Sequence, residues 1–246
     1  MQPLPLDRAP FTAGEDPESD VDLIFIGSFV SSRPEYAAYM AQFGDSLDDY
    51  IDRAGLLVQM AQADQTEPAP PFLPDTQDAV RVDTDFEEAI ILSPEHPLLQ
   101  GIPTSGASGD RIDYTFDSGA FWSDLVGWEV FNLFFGFEVI LSGDDDARFP
   151  ILMEGAYGQG RFLLAAMAFD KIFDQFGVDR TTESLGAFNT AFFANLYDYT
   201  KAVSDRATPP ITITPQPGDS ALEDGAWTIV LLPDTQIYSQ NFPGMY

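Results

Sequence analysis

Few residues in this chain combine reactive chemistry with a useful spacing, and the clearest pair stands near its end. Asp234 and Gln236 follow the apolar run Ile229-Val-Leu-Leu-Pro233. That pattern reads as a buried strand delivering a carboxylate to its C-terminal edge, where α/β enzymes place ligands. A two-metal centre needs several ligands held at fixed distance, and Asp234 with Gln236 cannot by themselves close one. His96 is the only histidine. It could be a base or a metal ligand, but beside Pro97 it reads better as a loop residue whose ring bonds to backbone and fixes a turn. Asp64 and Gln65 lie just past another apolar run, where such folds form clefts, and are the candidate residues of a ligand pocket. Asp144-Asp145-Asp146 offers hard oxygens to Ca²⁺, but three adjacent side chains cannot all face one ion, so a solvated turn is the preferred reading. The chain has no cysteine, which removes disulfides, thiolate metal sites and a thiol nucleophile.

The elements that would hold these residues follow from apolar periodicity. Val21-Asp-Leu-Ile-Phe-Ile-Gly27 is nearly continuous and fits a strand buried on both faces. Glu35 to Phe43 and Ser46 to Arg53 carry helical spacing, with Tyr36, Tyr39, Met40 and Phe43 on one stripe and Leu47, Tyr50 and Ile51 on the next. Leu56 to Met60 gives a second strand, so the spacing matches a right-handed βαβ crossover. Ala89 to Leu92 and Phe137 to Leu141 are further apolar runs. Phe149 to Glu154 and Arg161 to Met167 form a hairpin through Gly155-Ala-Tyr-Gly158-Gln-Gly160, whose glycines permit the positive φ of a tight reversal. Glu183 to Val203 is a closing helix with Leu185, Phe188, Phe192, Leu196 and Tyr199 at helical intervals and one buried face. The expected fold is α/β, a flavodoxin-like three-layer sandwich with a mostly parallel sheet, a C-terminal linker and an isolated strand.

Composition narrows the partners. Across 246 residues there are 11 basic and 40 acidic side chains, a net charge of −29. Such a surface repels nucleic acid and anionic membranes, because phosphate binding needs clustered Lys and Arg. Acidity spread along the whole chain suits a salt-adapted organism. No stretch approaches the roughly twenty apolar residues of a membrane span, and no signal peptide is visible. Trp122, Trp128, Phe131, Phe134, Phe135 and Phe137 form an aromatic-rich insertion, read as core or domain interface with a sugar-stacking surface as the alternative.

Three stretches give a resemblance: the strand Val21 to Gly27, the turn Ser93-Pro-Glu-His96-Pro-Leu-Leu-Gln-Gly101-Ile-Pro103, and Glu154-Gly-Ala-Tyr-Gly158-Gln-Gly160-Arg161. In this order they resemble the class I glutamine amidotransferase-like superfamily, near its ThuA-like branch, over residues 21 to about 200. The resemblance implies a nucleophile elbow after Met60, where this chain reads Ala61-Gln62-Ala63-Asp64-Gln65. With neither Cys nor Ser there, the glutaminase mechanism has no first step. The tail resembles the first metal-binding block of calcineurin-like metallophosphoesterases, in the branch that carries Asp-Thr-Gln. That resemblance makes Asp234 and Gln236 ligands of a divalent pair (Mn, Fe or Zn), completed by blocks beyond Tyr246.

The expected organisation is a mobile leader over 1–20, an amidotransferase-like domain over 21–204, a linker over 205–225 and an incomplete phosphoesterase start over 226–246. The expected function is a non-catalytic accessory or interaction domain attached to a truncated metallophosphoesterase. The alternatives are the N-terminal part of a metal-dependent phosphoesterase and a carbohydrate-binding module. Expected partners are the rest of the parent polypeptide, with a small molecule or glycan as the other choice.

Overall fold

Apolar strands without polar alternation need cover on both faces, and in the computed structural model two helices among the described residues supply it. The structure describes residues 2–3, 21–62, 72–83, 89–112, 129–167, 169–170, 184–204 and 229–232. The strands are β1 (Gln2–Pro3), β2 (Leu23–Ile26), β3 (Leu56–Met60), β4 (Asp78–Asp83), β5 (Ile90–Ile91), β6 (Thr104–Ser105), β7 (Arg111–Ile112), β8 (Glu129–Phe135), β9 (Phe137–Ser142), β10 (Pro150–Tyr157), β11 (Gly160–Ala165) and β12 (Ile229–Leu232). The helices are α1 (Pro34–Asp52) and α2 (Ser184–Ser204), with short 3₁₀ turns at Val30–Ser32 and Pro97–Leu99.

One ten-stranded sheet runs in the order β1-β12-β2-β3-β11-β10-β9-β5-β7-β6, and β4 pairs with β8 in a separate ribbon. The fold is α/β with a mixed sheet. The expected β2–α1–β3 unit is present, its strands parallel with Leu23 opposite Leu56.

The expectation of a mostly parallel sheet is corrected. The pairs β1–β12, β12–β2, β2–β3 and β3–β11 are parallel. The pairs β11–β10, β10–β9, β9–β5, β5–β7 and β7–β6 are antiparallel. The cause is local. A two-residue connection can join only antiparallel strands, whereas a parallel pair needs a crossover. Gly158-Gln159 is such a connection between β10 and β11, with Gly158 at φ 55°.

The isolated C-terminal strand is corrected too. β12 lies against β2, with Ile229 opposite Leu23 and Leu232 opposite Ile26, and β1 flanks it. A lone apolar strand would leave its backbone donors and acceptors unpaired, and the edge of β2 satisfies them.

Side chains alternate between two cores. On one face Leu23, Phe25, Leu56, Val58, Met60, Leu163 and Ala165 pack with Phe192, Leu196 and Tyr199 of α2. On the other, Ile24, Ile26, Leu57, Phe162 and Leu164 pack with Tyr36, Tyr39, Leu47, Tyr50 and Ile51 of α1. The two helical stripes read separately in the sequence form one helix, opened by Pro34 at its first turn and continuous through Gly44.

Two glycines of the hairpin serve close approach. A Cβ on Gly160 would lie 2.1 Å from the Ile51 carbonyl and 2.3 Å from that of Gly55. One on Gly155 would overlap the buried Gln77 side chain.

Candidate functional site

The two downstream stretches behind the resemblance, far apart in sequence, meet on the α2 face of the sheet. The Ser93–Pro103 turn is fixed first by its own residues. His96 N–H donates to the Ser93 carbonyl at 3.0 Å, and Leu99 N–H to the His96 carbonyl at 2.9 Å. Pro97 starts the 3₁₀ turn, and the Leu98 N–H donates to His96 Nδ1 at 3.3 Å. The ring thus bonds to backbone and caps the turn, as read from the sequence. Helix α2 then clamps it: Asn195 Nδ2 donates to the carbonyls of Leu98 at 2.9 Å and Gln100 at 2.8 Å. Ser93 Oγ ties the other end to the Val139 carbonyl of β9 at 2.9 Å.

Glu154 enters from β10. Its Oε2 lies 3.8 Å from His96 Nε2 and 3.8 Å from Arg161 Nε, and its Oε1 accepts a hydrogen bond from the Tyr199 hydroxyl of α2. The His96 and Tyr199 rings are 5.5 Å apart. With Nδ1 accepting from backbone, Nε2 is the ring nitrogen that faces the carboxylate. Glu154 also sits opposite Glu138 of β9. Two carboxylates directly across a strand pair repel one another, and Arg161 offsets that from the neighbouring strand. Chemically, His96 and Glu154 are an acid–base pair already engaged in binding three elements together. This convergence was not foreseen in the sequence. The only signal was that Glu154 and Arg161 bracket the glycine hairpin.

A second polar group lies at the carboxyl ends of β2 and β3. Buried Ser28 donates through N–H and Oγ to Asp170, at 3.1 and 2.5 Å. Phe29, at φ 68°, donates its N–H to the Gln62 carbonyl at 2.5 Å. Gln62 is itself buried, so the described part of the expected elbow, Ala61-Gln62, is packed inward. Deeper in, the Tyr36 hydroxyl accepts from Gln59 Nε2 at 3.0 Å and from the Phe72 N–H at 2.7 Å. Burial holds this phenol well above its ordinary pKa, and the two donors offset part of the rise.

The other sequence candidates fall into place or out of view. Asp144 and Asp146 both reach Arg148, at 2.9 and 2.5 Å, and Asp144 Oδ1 also accepts the Asp146 N–H at 3.3 Å, so the acidic run is a turn closed by its own arginine. The hydrogen bond from Arg148 holds the Asp146 carboxyl below the usual range. Asp64, Gln65, Asp234, Gln236, Trp122 and Trp128 lie outside the described residues, as does the 205–225 linker. Of the stretch read as a leader, Gln2–Pro3 form β1. Among the described residues no helix is long and apolar enough to cross a membrane.

No family model matches this chain, and no curated protein matches it. Among solved structures it is similar to the cytoplasmic protein STM3548 from Salmonella typhimurium, at 17% identity and a TM-score of 0.39, covering 72% of this chain and 71% of that one.

Proposed function

We propose that this chain is a non-catalytic accessory or interaction domain, flavodoxin-like and amidotransferase-like in ancestry, serving the polypeptide that carries it. One observation carries the reading: both downstream motifs behind the resemblance spend polar groups on holding the fold together. His96 caps the Pro97–Leu99 turn, Glu154 takes the Tyr199 hydroxyl, and Asn195 holds the loop to α2. A catalytic base must keep a lone pair free for the proton it abstracts, and the His96 Nδ1 lone pair is given to the Leu98 N–H. Incubation with glutamine should release no ammonia; release at a rate proportional to protein would overturn the proposal.

A second reading is supported by β12. It lies parallel to β2, so its carboxyl end is at the sheet edge where α/β folds place ligands. This favours the N-terminal part of a metal-dependent phosphoesterase, with Asp234 and Gln236 contributing to a divalent site. Hydrolysis of p-nitrophenyl phosphate on adding Mn²⁺ or Fe²⁺ to residues 1–246 would put this reading first.

A further inference from the structure

The large apolar side chains exposed among the described residues are Val80, Leu133 and Phe135, and all three lie on the β4–β8 ribbon. Leu133 is 80% exposed and Phe135 73%. Scattered exposed leucines need no explanation, but a cluster at one tip does. The tip is built to hold this shape. Leu133 sits at φ 49°, a left-handed conformation that costs a leucine about 1 kcal/mol. Gly136, at φ 84°, lets the loop before β4 approach so closely that a Cβ there would meet the Thr76 carbonyl at 2.8 Å.

The charges around the tip identify what it fits. Asp78 is directly opposite Phe135, Glu138 follows on β9, and Asp75 flanks the loop that abuts Gly136; all three are exposed. The ribbon's arginine is turned inward, with Arg81 Nε 3.1 Å from Glu129 and both side chains nearly buried. The surface is therefore an apolar tip with exposed carboxylates beside it, on a chain of net charge −29. A second copy would bring the same carboxylates together and be repelled. A partner with an apolar cleft rimmed by Lys and Arg meets both features, gaining steering from the rim and affinity from the buried aromatic.

We propose that the β4–β8 tip is a docking surface for a basic protein partner, with Phe135 and Leu133 as its anchors. This rests on the interaction-domain reading and adds the chemistry of the partner.

The probes are two synthetic amphipathic peptides, one of Leu and Lys and one of Leu and Glu, titrated by fluorescence anisotropy against the full chain at low and moderate NaCl. The lysine peptide should bind, more weakly as salt rises, and the glutamate peptide should not. Phe135→Ser and Leu133→Ser should each weaken binding about tenfold, with circular dichroism unchanged because both side chains face solvent. Asp78→Lys should weaken it as well. Equal binding by all variants would place the contact elsewhere on the acidic surface and overturn the proposal. So would absence of binding by the lysine peptide, or a dimer in sedimentation that Phe135→Ser dissolves. Ammonia or phosphate turnover would instead remove the interaction-domain reading while leaving the peptide result intact, so the two failures are distinguishable.

Discussion

Asp48 lets the cost of the acidic surface be measured at one side chain. It lies on α1, half-exposed, with one carboxylate oxygen shielded from solvent and no donor bonded to it. Burial chiefly, and then the charges of Asp75, Asp45 and Asp49, push its carboxyl up from 3.8 to about 6. Fully buried, such a displacement would be worth about 3 kcal/mol. With half the group in water the figure falls to about 1 kcal/mol. The folded state holds a proton that the unfolded chain releases near 3.8. Asp48 therefore makes stability fall as pH rises from about 4 to about 6, after which its penalty is constant. Asp48→Asn removes the penalty. Urea unfolding at pH 4.5, 5.5 and 7.0 should show the variant close to the parent at the lowest pH. At pH 7.0 it should be more stable by about 1 kcal/mol, or about 2–4 °C in Tm. A variant that is no more stable at pH 7.0, or a difference that does not grow with pH, would refute the assignment of the strain to this carboxylate.

Three further outcomes follow from the same structure. Gly44→Ala should stabilise the protein by about 0.5–1 kcal/mol in thermal unfolding, since Gly44 sits inside α1 and an added Cβ meets nothing within 4 Å. Gly160→Ala should destabilise by about 3 kcal/mol in the same assay, because the new Cβ would strike the backbone carbonyls of Ile51 and Gly55, which cannot swing aside. Raising NaCl from 0.05 to 1 M (roughly a threefold or greater shortening of the screening length) should raise Tm, through relief of repulsion within a chain of net charge −29; a flat or falling curve would remove the salt-adaptation reading.

Local pattern made part of this fold legible in advance. Four consecutive buried residues in β2 and five in β3 read directly as strands covered twice, and Tyr36, Tyr39, Leu47, Tyr50 and Ile51 read as a buried helix face. What escaped depends on distance along the chain or on very short elements. The two stripes on either side of Gly44 read apart in the sequence, yet packing of residues on both sides outweighs the modest cost of one glycine inside a helix. The two-residue strands β5, β6 and β7 carry too little periodicity to announce their direction. The Asp78–Asp83 strand, DAVRVD, does not alternate cleanly, and its exposed Val80 and inward Arg81 run against what hydropathy alone predicts. At the candidate site the role of His96 could be read from its proline neighbour. Its meeting with Glu154 and Tyr199 could not, since nothing local links residues so far apart.

The place of β12 bears on how the protein can be shortened. Cutting after Ser204, where composition suggests a clean end, would strip the cover from a strand whose four side chains are all buried and leave its hydrogen-bonding row open to water. A bare hydrophobic margin of that kind templates cross-chain pairing and precipitation. β12, with β1 beyond it, therefore acts as a selvedge, protecting the sheet from unravelling into its neighbours.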